Sequence, residues 1–365
     1  MSNEPAPDNG GGPSEARRCP TCSEPAPPET KFCENCATEL DTGESLSAGP
    51  RPRANPAVSA PCVDCGAAGD NIDRDDYCAM CGAKQPDARD HLELDDGAVA
   101  AVTDKGLRHR RNEDACSIAA LSTGAVLVVC DGVSTTDHPD RASEAAAEIA
   151  RQVLERAVSQ TLATEPGTDL KKAMQDAVDA AQQAVLAVEP IPGGQGNPST
   201  TIVAAMVLDQ GDGKLDVLVG WLGDSRGYWI DRSGATQLTV DHSWANEQID
   251  AGLMPEAEAQ ADTRAHTITR WLGRDATDVE VSVVRQEVPA EGMLLLCSDG
   301  LWNYAADPES LFDLVNGMHH LSPLELARQL TAFAVDSGGH DNITVALARF
   351  GDQATMSVTD SEPAP

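Results

Sequence analysis

Short apolar runs alternate with polar turns along most of the chain, and several of these runs end on an aspartate. The run Ala125–Cys130 leads directly into Asp131, which predicts a buried strand with a carboxylate at its tip. The same arrangement recurs before Asp224 and Asp299, and Asp341 precedes another apolar run. Aspartates brought by separate strands to one rim would repel one another unless cations lay between them. The pattern therefore predicts a metal centre.

From about Leu92 onward the pattern predicts a globular α+β domain. Strands come in runs, with helices between the runs, which favours antiparallel sheets covered by helices. The predicted strands are Val99–Thr103, Cys116–Leu121, Ala125–Cys130, Thr201–Leu208, Leu215–Leu222, Gly227–Asp231, Val281–Val288, Met293–Cys297 and Ile343–Phe350.

Apolar residues repeating every three or four positions predict three longer helices. The second covers Leu170–Val185 with Thr168 as its N-cap. The third covers Ser322–Val335 and opens with Ser322 and Glu325 in the spacing of a capping box. The first presents one stripe to the core, with further apolar residues beside it: Ala146, Ile149, Val153 and Ala157, then Leu154, Val158 and Leu162.

Cysteine spacing predicts a second kind of site at the N-terminal end. Eight of the 11 cysteines form four C-x-x-C pairs within the first 81 residues. Each pair makes a tight turn that aims two thiolates at one ion, and two such turns complete a tetrahedral site. Without a secretory start, this spacing favours zinc over disulfides, and the polar surroundings lack the βαβ context of a redox pair. The predicted zinc ligands are Cys19, Cys22, Cys33, Cys36, Cys62, Cys65, Cys78 and Cys81.

The cysteine pairs and the composition together define the domain boundaries. We expect about two structural zinc ions, in ribbons that serve either as a docking or regulatory module or as folding staples. The pairs could also combine differently, the first with the fourth. The predicted segments are a disordered start at 1–17, a first four-cysteine zinc ribbon at 18–40, a linker at 41–60, a second four-cysteine zinc ribbon at 61–86, the larger domain at 91–351 and a flexible tail at 352–365.

The net charge of the chain limits the kinds of molecule that it can bind. The 365 residues carry a net charge of -33, from 26 basic and 59 acidic side chains, which argues against a nucleic acid or an anionic membrane as a partner. The sequence has neither a run of 18 apolar residues nor a basic-then-apolar start, so we expect no membrane span, no signal peptide and a cytoplasmic location. Phosphorylated ligands would be repelled at long range unless bound cations reversed the local field.

Eight short motifs follow one another between Val99 and Phe350. Each is weak alone, but eight in order are a strong signal. In this order and at roughly these intervals, they resemble the metal-dependent serine/threonine protein phosphatases of the PP2C (PPM) family. The motifs are Arg111-Asn-Glu-Asp114, Val129-Cys-Asp131-Gly132, Pro198-Ser-Thr-Thr201, Leu222-Gly-Asp224-Ser-Arg226, Asp241-His242-Ser243, Ile268-Thr-Arg270, Cys297-Ser-Asp299-Gly300 and Gly339-His-Asp341-Asn342.

The resemblance implies a four-layer αββα sandwich, in which two antiparallel sheets are flanked by helices and a dinuclear Mg²⁺/Mn²⁺ centre lies in a cleft at one sheet edge. Asp131 would bridge the two metals, and the carbonyl of Gly132 would bind one of them. Asp299 and Asp341 would complete one site, and Asp114 would help to hold the other, partly through water. Hard oxygen ligands of this kind select Mg²⁺ or Mn²⁺ over zinc.

Further roles follow from the same resemblance. Asp224 matches the aspartate that binds a third, weaker metal in bacterial members, and Asn342 would be a supporting residue. The implied reaction is hydrolysis of phosphoserine and phosphothreonine in proteins by metal-activated water, with no covalent phosphoenzyme. The implied catalytic residues are Asp131, Asp299 and Asp341.

Two departures from the family pattern concern substrate binding and proton transfer. The family usually has an arginine five residues before the position of Asp114, where it grips substrate phosphate; here that residue is His109, flanked by arginines. We expect His109, when protonated, or Arg110 to bind the phosphate. Residues 133–137 replace the usual glycine-rich run, and the histidine proposed as general acid in some members is missing there. Leaving-group protonation is unassigned, with metal-bound water a candidate.

The same residues bear on alternative functions. A cysteine phosphatase is excluded, because none of the 11 cysteines has an arginine six positions later. Cys130 and Cys297 are interpreted as small buried strand residues, and Arg226 as a structural ion-pair residue. The remaining alternative is a catalytically weak, phosphatase-like scaffold that binds phosphoprotein partners, although the complete set of aspartates argues against it.

Overall fold

The computed structural model describes residues 17–18, 25–26, 61–73, 77–83, 85–122, 124–163, 169–191, 194, 196–211 and 213–351. Most of the predicted N-terminal segments lie outside these residues: 1–16 of the disordered start, the first-ribbon ligands Cys19, Cys22, Cys33 and Cys36, and the linker at 41–60. The predicted tail at 352–365 also lies outside them. No helix within the described ranges is both long and apolar enough to cross a membrane.

The chain divides into two units, Met1–Ile72 and Asp73–Pro365. In the first unit, β1 (Arg17–Arg18) pairs antiparallel with β2 (Pro25–Ala26), and a 3₁₀ turn covers Gly69–Asn71. The second unit contains the larger domain.

Thirteen further strands and seven α-helices form this domain within the described ranges. The strands are β3 His91–Asp95, β4 Val99–Asp104, β5 Ala115–Leu121, β6 Gly124–Cys130, β7 Ser199–Thr200, β8 Ile202–Asp209, β9 Lys214–Leu222, β10 Arg226–Asp231, β11 Gly234–Gln237, β12 Leu272–Gly273, β13 Ser282–Pro289, β14 Gly292–Cys297 and β15 Ile343–Phe350. The helices are α1 Pro139–Ala163, α2 Leu170–Ala187, α3 Trp244–Asp250, α4 Glu256–Gln260, α5 Asp299–Trp302, α6 Pro308–Asn316 and α7 Pro323–Asp336.

The strands form two large antiparallel sheets. One has the order β11-β10-β14-β15-β4-β3 and the other the order β13-β9-β8-β6-β5, with β12 and β7 forming a small separate pair. One apolar cluster packs α1 and α2 onto the five-stranded sheet, a second lies between the sheets, and a third packs α5, α6 and α7 onto the six-stranded sheet. These layers confirm the predicted αββα sandwich.

Strand β14 shows why the core strands read as continuous apolar runs. Met293, Leu295 and Cys297 belong to the cluster under the helices, whereas Leu294 and Leu296 belong to the cluster between the sheets. Successive strand side chains point to opposite faces, and both faces are covered here, so both sets must be apolar.

The predicted helices are present, with two differences in detail. The buried stripe of α1 runs through Ala150 and Leu154, whereas Ile149 and Val153 are only half-buried. The N-cap prediction for α2 was wrong by one residue: the side chain of Asp169 accepts hydrogen bonds from the first backbone N–H groups, and Thr168 lies outside the described residues. The capping box of Ser322 and Glu325 in α7 is confirmed.

Truncation of Leu294 tests the layer between the sheets. Leu294 is fully buried there, so Leu294→Ala should lower the free energy of unfolding by about 2–5 kcal/mol. Leu253→Ala is the control because 72% of Leu253 is exposed, and it should change that free energy by no more than about 0.5 kcal/mol. Equal losses in a urea titration of the two variants would contradict this core assignment.

Candidate metal centre

The predicted aspartates lie where strands of both sheets end. Ala115 of β5 pairs with Cys130 of β6, so Asp114 and Asp131, the residues that adjoin this pair, lie across from each other. Cys297 of β14 pairs with Val345 of β15. Asp299 follows the end of β14, and Asp341 precedes the start of β15, so the same sheet edge receives both.

These aspartates interact electrostatically with one another, so they lie close together. Burial raises the pKa of Asp131 well above its usual range, and the charges of Asp114, Asp299, Asp224 and Asp341 raise it further. Burial followed by the charges of Asp341, Asp224 and Asp114 does the same to the pKa of Asp299. Burial is also the main cause that raises the pKa of Asp114 to about 6. The structure therefore brings five of the predicted ligand residues into one cluster.

Two carboxylate oxygens in this cluster are buried without a partner. Oδ2 of Asp114 accepts hydrogen bonds from Ser298 Oγ and Thr344 Oγ1, each at 2.7 Å. Oδ1 of Asp114 and Oδ1 of Asp299 have no hydrogen-bond partner within the described residues. A buried unpaired acceptor is costly, and a hard cation would satisfy both oxygens. The donor set therefore fits Mg²⁺ or Mn²⁺.

Gly132 allows three backbone segments to meet at the cluster. Its N–H donates to the carbonyl of Glu113 at 3.2 Å. A Cβ atom at this position would lie 2.5 Å from that carbonyl oxygen and 2.7 Å from the oxygen of Pro139. Only glycine fits such close packing between the β5 approach, the end of β6 and the start of α1.

Asn342 fastens the loop of Asp341 to the segment that leads into Asp114. Its Oδ1 accepts from the N–H of Glu113 at 2.8 Å, and its Nδ2 donates to the carbonyls of Lys105 at 2.8 Å and Arg111 at 3.1 Å. The side chain is thus fully used in holding backbone. This geometry is what a supporting residue requires.

His109 reaches the open side of the cluster. Its Nε2 lies 3.1 Å from Asp341 Oδ1, and its Nδ1 lies 3.9 Å from Glu113 Oε2. Arg111 is engaged elsewhere, with Nε 3.0 Å from Glu113 Oε1. Arg110 is exposed next to His109 in the chain. The predicted phosphate-binding role of His109 and Arg110 stays a prediction.

Asp224 lies at the side of the cluster that faces an ion pair. Burial and the charge of Asp241 raise its pKa to about 7. Arg226 binds Asp241 through Nε at 2.9 Å and Nη2 at 2.8 Å, and its guanidinium stacks 3.8 Å from the ring centre of Trp302. The indole N–H of Trp302 donates to the carbonyl of Asp224 at 2.9 Å. Arg226 therefore has the structural role predicted for it.

A family model described as protein phosphatase 2C matches residues 105–334. The chain belongs to this family.

Relatives of this phosphatase 2C chain include two named bacterial proteins. It is 31% identical over 252 residues to the serine/threonine protein phosphatase PstP of Mycobacterium tuberculosis, and this match covers 68% of this chain and 44% of PstP. It is also 31% identical over 246 residues to the serine/threonine phosphatase stp of Listeria welshimeri, which covers 67% of this chain and 92% of stp. The chain thus spans less than half the length of PstP.

Solved structures agree with the phosphatase 2C fold. A crystal structure of PstP matches 72% of this chain and all of the PstP chain, with a TM-score of 0.53 and 31% identity. A second structure, of the PstP catalytic domain in complex with two manganese ions, matches 70% of this chain and 98% of that chain, with a TM-score of 0.50 and 31% identity.

Sequence reasoning assigned no role to several residues of the phosphatase 2C centre that fix the aspartates. Ser298 and Thr344 hold one oxygen of Asp114. The backbone of Asp131 is held by two threonines: Thr200 Oγ1 donates to its carbonyl at 2.8 Å, and Thr201 Oγ1 accepts from its N–H at 3.2 Å. Buried hydroxyl residues at the ends of apolar strands are the signal that would have found them.

The second pair of C-x-x-C motifs also converges. Cys62 and Cys78 each open the same kind of turn, in which a glycine four residues later donates its N–H to the cysteine carbonyl at 2.9 and 2.7 Å. The sulfur atoms of the four residues all lie within 4.8 Å of one another: Cys62, Cys65, Cys78 and Cys81. Four thiolates at this spacing fit a tetrahedral zinc site. Cys130 and Cys297 are fully buried strand residues, as predicted.

The raised pKa values predict how Mn²⁺ binding depends on pH. In the metal-free protein, carboxyls such as Asp114 and Asp224 hold protons up to about pH 6 and 7. Between about pH 4, where these groups titrate in the unfolded chain, and about pH 7, the folded state binds more protons than the unfolded state does. The free energy of unfolding of the metal-free protein should therefore fall as pH rises through this range. Mn²⁺ must displace those protons at low pH. The rise in Tm on adding Mn²⁺ should therefore be larger at pH 8 than at pH 5.5.

Two aspartate variants serve as the comparison for this measurement. Asp299→Asn should reduce the Mn²⁺-induced rise in Tm, whereas Asp313→Asn, on the solvent side of helix α6 and outside the cluster, should leave it unchanged. An equal rise at both pH values in the wild-type protein would contradict the assignment of the buried carboxylates to the cation.

Proposed function

We propose that this protein is a metal-dependent protein serine/threonine phosphatase that uses two Mg²⁺ or Mn²⁺ ions, with Asp224 as part of a third, weaker site. The observation that carries the proposal is the convergence of five aspartates, two of which have a buried carboxylate oxygen without a hydrogen-bond partner within the described residues. The phosphatase names of its relatives and the two manganese ions in a PstP structure support the same function.

In this proposal the side chains of Asp114, Asp131, Asp299 and Asp341, with the carbonyl of Gly132, hold the cations. When bound, such a pair would lower the pKa of a water molecule and neutralise charge on the phosphate, which is the chemistry that hydrolysis without a covalent phosphoenzyme requires. The protein contributes orientation, because geometry that is fixed before the reaction costs nothing during it.

Support residues give that orientation. Ser298 and Thr344 fix one oxygen of Asp114 and leave the other free for a cation. Asn342 holds the loop that carries Asp341. His109 lies 3.1 Å from Asp341 on the open side, where a protonated imidazole would meet an incoming phosphate.

The proposed substrates are phosphoserine and phosphothreonine in proteins. The net charge of -33 disfavours nucleic acids and anionic membranes as partners, and it disfavours acidic phosphopeptides at low salt. The paired thiols need reducing surroundings to remain zinc ligands, which favours a cytoplasmic location.

Hydrolysis of a phosphothreonine peptide tests this function. The wild-type protein should release phosphate with Mn²⁺ present and stop when EDTA is added. Asp299→Asn should lower kcat/KM by at least about 100-fold, because a metal held in place is worth several kcal/mol to the transition state. Asp313→Asn is the matched control outside the cluster.

Two results would count against the phosphatase proposal. Full activity of Asp299→Asn would remove Asp299 from the site. An inactive wild-type protein that binds Mn²⁺ at this centre would favour the phosphoprotein-binding scaffold.

We further propose that the four C-x-x-C pairs bind about two structural zinc ions and form ribbons that dock a protein partner. The clustered sulfur atoms of the second set of pairs support the first half of this proposal. Exposed apolar side chains next to these cysteines, Val63 at 63% and Met80 at 69%, are suited to a protein contact.

Metal analysis tests the zinc proposal. After chelation mild enough to remove Mg²⁺, the full chain should retain about two zinc ions, because thiolates hold zinc far more tightly than oxygen ligands hold Mg²⁺. Replacing Cys78 and Cys81 by Ser should reduce the count by one. A protein that holds no zinc and gives an unchanged amide spectrum for residues 61–83 would contradict the proposal.

A further inference from the structure

The turn Asp87–Asp90 lies just before β3, six residues after Cys81 in the chain. A capping box fixes its shape: the Asp87 side chain accepts from the N–H of Arg89 at 2.9 Å, and the Asp90 side chain accepts from the N–H of Asp87 at 3.3 Å. The turn makes three separate connections to segments that carry the aspartate cluster. None of its residues belongs to the motifs that define the family resemblance.

The first connection leads to Asp114. The carbonyl of Arg89 accepts from Asn112 Nδ2 at 3.1 Å, and Asn112 Oδ1 accepts from the N–H of Asp114 at 3.2 Å. Asn112 Nδ2 also donates to Thr103 Oγ1 at 2.8 Å, which lies 2.7 Å from Thr344 Oγ1. Thr344 in turn donates to Asp114 Oδ2. Both the backbone and the side chain of Asp114 are thus linked to the turn.

The second connection leads to the start of α1. Arg89 Nη1 donates to Asp140 Oδ2 at 2.9 Å. Asp140 lies in the first turn of α1, next to Pro139, whose carbonyl packs against Gly132. The helix start is also tied to the approach to β5, since Ser143 Oγ donates to the carbonyl of Glu113. The position of Gly132 therefore depends on how this helix start is held.

The third connection leads to Asn342. Asp90 accepts from Lys105 twice, through its carbonyl from the backbone N–H and through Oδ2 from Nζ, each at 2.8 Å. The carbonyl of Lys105 accepts from Asn342 Nδ2 at 2.8 Å. Asn342 adjoins Asp341 in the chain, so the loop on the far side of the cluster is also connected to the turn.

The pair of Arg89 and Asp140 has an uneven burial. The Arg89 side chain is 47% exposed, but the Asp140 side chain is only 6% exposed. An ion pair with one exposed partner contributes little to stability, about 0–1 kcal/mol. The two oxygens of the Asp140 carboxylate face different arginines. Oδ2 accepts the hydrogen bond from Arg89, whereas Oδ1 accepts no hydrogen bond within the described residues and lies 3.5 Å from Arg111 Nη1. Arg89 is therefore the hydrogen-bonded partner that orients this carboxylate, and Arg111 adds only the longer ion pair.

We propose that Arg89 is a positioning residue that raises the affinity of the metal centre for its cations. This inference rests on the proposed function, since it concerns the same centre. Arg89 does not touch the aspartate cluster; it acts through Asp140, which holds the start of α1 at Gly132, and its backbone acts through Asn112. Residues that orient metal ligands from a distance are typically worth about 10- to 100-fold in metal affinity or activity. Because Arg89 touches neither the cluster nor the side where substrate would enter, we place its effect on affinity.

A matched pair of arginine variants tests this role. Arg328 also has a 47% exposed side chain and also pairs with a carboxylate, Glu93, but the described structure does not connect it to the aspartate cluster. Arg89→Ala should raise the Mn²⁺ dissociation constant measured by calorimetry on the order of tenfold. Arg328→Ala should leave that constant unchanged. In assays, Arg89→Ala should raise the Mn²⁺ concentration at half-maximal rate and leave kcat at saturating Mn²⁺ unchanged.

Two further variants separate positioning from general stability. Arg89→Lys keeps a donor for Asp140 and should recover part of the affinity. In a double-mutant cycle, Asp140→Asn should weaken Mn²⁺ binding in the wild-type background and have a smaller effect in the Arg89→Ala background, because the two residues act through one contact.

The possible results distinguish this inference from the proposed function. If Arg89→Ala binds Mn²⁺ as tightly as Arg328→Ala does, or if Arg89→Ala lowers only kcat, Arg89 has no positioning role. That conclusion holds even if the wild-type protein hydrolyses phosphopeptide. If the wild-type protein binds Mn²⁺ but does not hydrolyse phosphopeptide, the proposed function fails, while the calorimetric comparison of the variants still decides the role of Arg89.

Discussion

Repulsion among buried carboxylates is the constraint on which the rest of this structure depends. Asp131 and Asp299 are held near three further aspartates, and burial together with neighbouring negative charge raises the pKa of both. The free energy of such a cluster is unfavourable without a counter-charge. Its presence therefore indicates a site built for cations, in a chain whose net charge is already -33.

The two-sheet architecture supplies the rigidity that this cluster requires. Asp114 and Asp131 come from paired strands of one sheet, and Asp299 and Asp341 come from paired strands of the other. Each carboxylate follows or precedes a strand packed into the core, so its backbone cannot move without disturbing that core. Asn342 then fixes one sheet edge against the other.

Sequence patterns were sufficient for the parts of the fold where burial sets the residue type. All nine predicted strands are present. The clearest of them are continuous apolar runs such as β6 and β14, which are covered on both faces. The edge strand β3 was missed, since its sequence His91-Leu-Glu-Leu-Asp95 is polar and half-exposed. Helix α6 was also missed, although Asp307 before Pro308 is a start signal.

The candidate site likewise contains residues that the sequence predicts and residues that it does not. Aspartates at strand tips could be found from local sequence, and the structure brings all of them together. The connections of Arg89 could not, because its partners Asn112 and Asp140 are 23 and 51 residues away and nothing in the sequence near Arg89 points to either of them. Pairings between distant polar residues depend on the final packing of α1 and β3, which no local pattern encodes.

A crystal structure of the protein grown with Mn²⁺ and measured at the manganese absorption edge would test whether these aspartates hold two cations. We expect two strong anomalous peaks about 3.5–4 Å apart, both within about 2.5 Å of an oxygen of Asp131, with Asp299, Asp341 and Asp114 as further neighbours. Anomalous peaks only elsewhere on the surface, with Asp131 and Asp299 directed away from each other, would contradict this expectation.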